Sequence, residues 1–195
     1  MVKYIIGLIL LIVWLYAVYI LRKAKLDFFK FLVGSAGMFF FLLFYASNTL
    51  MVPFSYFVTS VSGYIGKLFG FFEVYSQYGI LAIEGKDVVN IYIDFECSGI
   101  LEIITYISMV MFFPAYQMYE KIIVQICGIL FILFANVFRL TFIGITTYFF
   151  GMEYYYLFHS VIARLLFLVV IMALYFYTFT RKQILKQKVG KFNYV

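Results

Sequence analysis

Predominantly apolar runs of the length of a membrane crossing occur in five places along this chain, at about Tyr4 to Leu21, Phe31 to Val52, Ser98 to Tyr116, Ile122 to Ile143 and Phe158 to Phe179. Each is near the roughly 20 residues that an α-helix needs to cross a bilayer. The pattern changes in the middle. Leu81 and Ile83 alternate with Ala82 and Glu84, Gly85-Lys86-Asp87 reads as a turn, and Val89, Ile91, Ile93 and Phe95 alternate with Asn90, Tyr92 and Asp94. Period two on both sides of a turn predicts a β-hairpin. Its second strand leads straight into Glu96-Cys97-Ser98-Gly99, where the third apolar run opens. The fold class expected is therefore an all-α polytopic membrane protein of about five transmembrane helices, with a small hairpin before Cys97.

Between the second run and the hairpin, Pro53 to Phe72 is nearly apolar enough to be a sixth span. Basic residues decide against it. Arg22, Lys23, Lys25 and Lys30 follow the first run, Lys121 precedes the fourth, and Arg181, Lys182, Lys186, Lys188 and Lys191 follow the last. Five crossings put all of these on one side and leave Lys3, Lys67 and Lys86 on the other, which by the positive-inside rule sets the N-terminus outside and the C-terminus in the cytoplasm. A sixth crossing would carry the basic tail outside. With Ser55, Thr59, Ser60, Ser62, Gly63, Gly66, Lys67 and Gly70 among its aromatics, the segment is expected as an interfacial or re-entrant helix on the outer surface.

Composition agrees with this layout. The chain is 66% hydrophobic and 12% charged, against roughly 45 to 50% and 25% in a soluble domain. Its 195 residues leave room for one integral membrane domain, 1–195, and no separate soluble one. The formal charge of +6 comes from short basic clusters flanking apolar runs, so a nucleic-acid partner is discounted. The basic cluster lies after the first run and no small-residue cleavage pattern follows it, which predicts an uncleaved first span. Cys97 and Cys127 fall near opposite faces of the membrane, beyond the roughly 7 Å Cα separation that a disulfide tolerates.

Helix rise gives the depth of the reactive side chains. Arg139 lies ~27 Å along the fourth helix from Lys121, and His159 lies ~33 Å along the fifth from Arg181, at 1.5 Å per residue. Both reach the outer edge, where Cys97 opens the third span. A thiol at a helix N-terminus feels the partial positive charge of unsatisfied N–H groups, which favours the thiolate. Cys97 is then a candidate nucleophile, His159, the only histidine, a proton acceptor and donor, and Arg139 a stabiliser of an oxyanion or thiolate. Asn136, one turn before Arg139, is a supporting candidate to hold the guanidinium or donate a further hydrogen bond. Ser98 and Glu96 are supporting candidates beside the cysteine; Asp94 and Glu96 are read as solvated, with orientation of His159 an auxiliary role for Glu96.

Plainer readings compete with these. Histidine beside Tyr154, Tyr155 and Tyr156 suits an aromatic interfacial belt, and Arg139 can snorkel toward headgroups. Cys127 reads as a small buried hydrophobe. Glu102 and Arg164 sit about one turn below Cys97 and His159, five residues away and hence on another helical face, and suggest an ion pair locking two spans. One histidine and one outer cysteine are too few for a tetrahedral zinc site, and no metal or other cofactor is expected. A non-catalytic transporter subunit or assembly factor is the rival class, although no repeat of the kind transporters show is present. A thiol-disulfide oxidoreductase would want two nearby cysteines.

At these residues the chain resembles the exosortase and archaeosortase family of membrane cysteine transpeptidases. The family pattern is a Cys-Ser-Gly motif opening a span, an Asn-x-x-Arg motif near the outer end of a later span, and a histidine opening another. Glu96 to Gly99, Asn136 to Arg139 and His159 follow it in order. The resemblance implies a cysteine endopeptidase or transpeptidase of the plasma membrane, with its site facing outside. Its substrates would be membrane-anchored proteins carrying a C-terminal sorting signal, passed from a thioester on Cys97 to a lipid or other envelope acceptor. The short chain looks like the compact Gram-positive G-type exosortases.

Overall fold

The computed structural model describes residues 2–75, 78–92 and 97–184. They form a mostly helical bundle with one small antiparallel sheet. Helix α1 (Val2–Lys23) is followed by α2 (Asp27–Phe69), α3 (Ile100–Phe112) and α4 (Met118–Phe150), then by a last helical segment, Met152–Ile184. The regular part of that segment is α5 (Ala163–Tyr175), and it is π-wound on either side, at Leu157–Ile162 and Phe176–Arg181. Among the described residues three helices are long and apolar enough to cross a membrane: Asp27–Phe44, Met118–Phe150 and Met152–Ile184. Helix α1 coincides with the first predicted run. Helix α3, 13 residues long, rises only about 20 Å, less than the ~30 Å hydrocarbon thickness. Among the described residues, then, three helices have the length and composition of a crossing, where the hydropathy pattern predicts about five along the chain.

Pro53 does not end a helix. The segment expected as a separate surface helix is the continuation of α2, which runs 43 residues through Pro53 and is about 64 Å long at 1.5 Å per residue. That exceeds the ~40–45 Å of a bilayer with its headgroups. The expectation of a separate helix rests on the distribution of basic residues and on the Ser, Thr and Gly positions between Ser55 and Gly70; the charge rule fixes a number of crossings and says nothing about whether a helix breaks between them. In apolar surroundings, neighbouring helices and Ser/Thr hydroxyls make an interior proline tolerable. Beyond Pro53 the helix buries Val58, Thr59 and Ser62 and closes at Gly70, whose φ of 68° is left-handed, with Phe71 N–H returning to the Gly66 carbonyl at 3.0 Å.

This far end of α2 carries the sheet. Strands β1 (Glu73–Tyr75), β2 (Ile80–Glu84) and β3 (Val88–Tyr92) pair antiparallel in that order. The predicted hairpin is β2–β3, with Ile80 opposite Tyr92 and Glu84 opposite Val88; β1 is an addition. Residues 93–96, the predicted end of the second strand, lie outside the described residues. One face, Leu81, Ile83, Val89 and Ile91, is buried in the common core with Val58, Phe72, Leu140 and Ile143. Gly63 leaves room for Val74, while Gly66 and Gly144 leave room for the Phe72 ring, so the sheet seats closely on both α2 and α4.

At the other end of the bundle Tyr106 fills the space over Gly128. Its hydroxyl lies 3.2 Å from the Val124 carbonyl and 3.3 Å from Thr178 Oγ1. Lys182 pairs with Glu120 at 3.0 Å. Cys127 is exposed on the bundle surface, contrary to its reading as a buried hydrophobe, because its α4 neighbours Ile123, Ile126 and Leu130 are exposed with it.

Candidate active site

Cys97 begins a turn, Cys97 to Gly99, that leads into α3. Gly99 caps the helix with φ 76° and ψ 8°, a left-handed conformation that costs any residue with a Cβ. Space is closed there too, since an added Cβ would lie 3.1 Å from Asn136 Nδ2. Ser98 is fully buried and its Oγ accepts from the Ile100 N–H at 3.4 Å. Cys97 thus sits just off the N-terminus of α3 rather than within its first turn.

Two other elements reach this turn. From α4, Asn136 is 0% exposed and donates from Nδ2 to the Cys97 carbonyl at 2.8 Å. One turn further on, Arg139 is buried with its guanidinium 4.7 Å from the centre of the Phe167 ring. From the last helical segment, His159 brings Nε2 to 3.6 Å from Cys97 Sγ. Its ring stacks on Tyr155 with centroids 5.0 Å apart and planes 16° from parallel, and Nδ1 lies 3.5 Å from Ser160 Oγ. A cavity of about 240 Å³ is lined by Cys97, Arg139 and His159 together, and by Glu102, Arg164 and Phe167.

The three residues expected to act together therefore meet in one cavity. Asn136 is beside them, but its amide holds the cysteine's backbone instead of the Arg139 guanidinium. Ser98 supports the turn. Glu96 lies outside the described residues. Glu102 and Arg164 are corrections to the sequence reading, since both line the same cavity as Cys97 and His159. The reason is helical pitch. The turns from Leu157 to Ile162 are π-wound, with i→i+5 hydrogen bonding that brings residues five apart onto one face, and Cys97 precedes the regular helix, so counting faces from it does not apply.

Sequence reasoning also missed Asp87. At the hairpin tip its Oδ2 accepts from the Met152 N–H at 2.8 Å, capping the segment that carries His159, while Lys86 N–H donates to the Tyr148 carbonyl at 3.2 Å. Turn composition marked the tip, but nothing in the spacing marked its partner. On the opposite side of Arg139 and Phe167, Phe134, Phe138 and Leu166 line an apolar groove between α4 and α5. Among the described residues no three His, Cys, Asp or Glu side chains converge as a metal site.

A thiol beside an imidazole, with a guanidinium in the same small cavity, can form and resolve an acyl intermediate. In the comparison with protein families, the model described as transmembrane exosortase matches residues 2–177. No curated protein and no solved structure matches the chain.

Proposed function

The chain belongs to the transmembrane exosortase family, whose members are membrane transpeptidases, and from that premise and the cavity at Cys97 we propose that it cleaves the C-terminal sorting signal of membrane-anchored proteins through a thioester. The observation that carries this reading is the 3.6 Å approach of His159 Nε2 to Cys97 Sγ in the cavity that also holds Arg139.

The imidazole takes the thiol proton, and sulfur attacks the scissile carbonyl carbon. Negative charge then gathers on the carbonyl oxygen, where the Arg139 guanidinium offsets it; because Arg139 is already buried and stacked on Phe167, it need not reorganise as the charge develops. When the C–N bond breaks, His159 returns its proton to the departing amine. The thioester on Cys97 is discharged by a lipid or envelope acceptor, which restores the thiol. We place the site at the outer face of the plasma membrane, with the C-terminus in the cytoplasm, and the chain among the compact G-type members of the family.

The test follows C-terminal processing of co-expressed membrane-anchored proteins with Cys97→Ala, Arg139→Lys and His159→Ala variants. Processing should vanish with Cys97→Ala and fall by a factor on the order of a hundred or more with each of the others. Undiminished processing by Cys97→Ala would remove the enzyme.

A further inference from the structure

The reaction just described leaves two charged groups of the cavity, Glu102 and Arg164, without a task. Glu102 lines it with Cys97, Arg139 and His159, and its Oε2 is buried with no hydrogen-bond partner among the described residues. A carboxylate oxygen withdrawn from water and given no donor is costly. A donor supplied by the ligand removes that cost.

We propose that Glu102 is the acceptor subsite, and that it holds the ammonium of a primary amine which discharges the Cys97 thioester, so that the enzyme transfers by aminolysis. The proposal rests on the acyl-enzyme reading above. An ammonium on a carboxylate makes a charge-assisted hydrogen bond, roughly twice as strong as the neutral one an alcohol would make, and in a site bordered by apolar helices a cation needs such a counter-charge. Holding the amine at Glu102 raises its effective concentration over competing water.

The step balances. The bound ammonium gives one proton to Glu102, and the free amine attacks the thioester carbonyl. As the C–N bond forms and the C–S bond breaks, the second proton passes to His159 and sulfur leaves as thiolate. The apolar groove between α4 and α5 meets this cavity at Arg139 and Phe167, which gives a lipid-borne amine a lateral way in. The open side of the cavity admits a soluble one.

Full-length wild type, Glu102→Gln and Glu102→Asp are produced in the source cell's membranes, purified, and weighed intact before and after neutral hydroxylamine. Formation of a hydroxylamine-labile adduct on Cys97 itself reports a folded, acylating protein. Glu102→Gln should carry the adduct at an occupancy at least about tenfold above wild type, through loss of one charge-assisted hydrogen bond at discharge, with Glu102→Asp between them. The adduct on Glu102→Asp should be discharged much faster by ethanolamine than by ethylene glycol, and the adduct on Glu102→Gln should show no such preference. Phosphatidylethanolamine vesicles tested against phosphatidylglycerol vesicles separate a headgroup amine from a soluble one. Equal adduct in all three proteins, or an amine preference that survives Glu102→Gln, overturns the subsite. Adduct in none of them overturns the acyl-enzyme reading, and the subsite with it.

Discussion

Asn136 offers a way to remove a single hydrogen bond from beneath the nucleophile while leaving sulfur, imidazole and guanidinium in place. Its side chain is fully buried, Nδ2 meets the Cys97 carbonyl at 2.8 Å, and Oδ1 has no partner among the described residues. The nitrogen has to face Cys97, because the opposite orientation would set acceptor against acceptor. Asn136→Ala takes this donor from the half-buried Cys97 turn, at a cost of about 1–3 kcal/mol, and lets the 97–99 turn relax into the space vacated. If half of that cost appears in the barrier to acylation, the rate falls by about three- to tenfold. Asn136→Asp keeps the volume but turns the donor into an acceptor and brings a negative charge toward the forming oxyanion. Its loss should be larger, on the order of a hundredfold. Processing of a co-expressed substrate gives the rates, and melting of the purified protein in detergent separates them from unfolding. The order wild type, Ala, Asp is expected in processing. An Asp variant as fast as wild type would mean that this hydrogen bond does not position the cysteine.

Gly99→Ala forces a Cβ into the left-handed region, about 1–2 kcal/mol, and against the Asn136 side chain; lower melting and slower processing are expected, and its effect should be less than additive with Asn136→Ala, so strict additivity would refute the shared contact. Asp87→Ala removes the cap of the Met152 N–H, worth about 1 kcal/mol, and should slow processing by shifting His159, whereas Asp87→Asn, which keeps an acceptor, should stay near wild type. Identical rates for all three proteins would separate the hairpin tip from the base.

What the chain's pattern revealed, and what it hid, follows from the physics each signal reports. Long apolar runs mark helices because a bilayer demands them, and alternation marked β2 and β3 because Leu81, Ile83, Val89 and Ile91 all face one core. Strand β1 has three residues, only the middle one partly covered, too few to show a period. Depth counted from basic flanks brought Cys97, Arg139 and His159 to one level, and depth survives small errors in pitch. Face does not. Arg164 was misassigned by a π-wound stretch that no composition signals, and Glu102 by a non-helical turn closed on a left-handed glycine. Asn136 was read from its spacing to Arg139, yet its partner is a carbonyl reached only through tertiary packing.

The sheet explains why α2 continues past Pro53. An isolated two-stranded hairpin is marginal in water, and this one has to connect the two segments that carry the nucleophile and the base. Strand β3 ends five residues before Cys97, while the β2–β3 tip holds Tyr148 and Met152 at the corner that leads to His159. The hairpin gains stability from β1 along its edge, and β1 is held in turn by Val74 against Gly63 and Phe72 against Gly66 of α2. A helix broken at Pro53 would leave that support free to swing, and with it the two ends of the hairpin. Carried unbroken beyond the length of a crossing, α2 supports the sheet, and the separation of Cys97 from His159 becomes a property of the sheet as much as of the membrane helices below it.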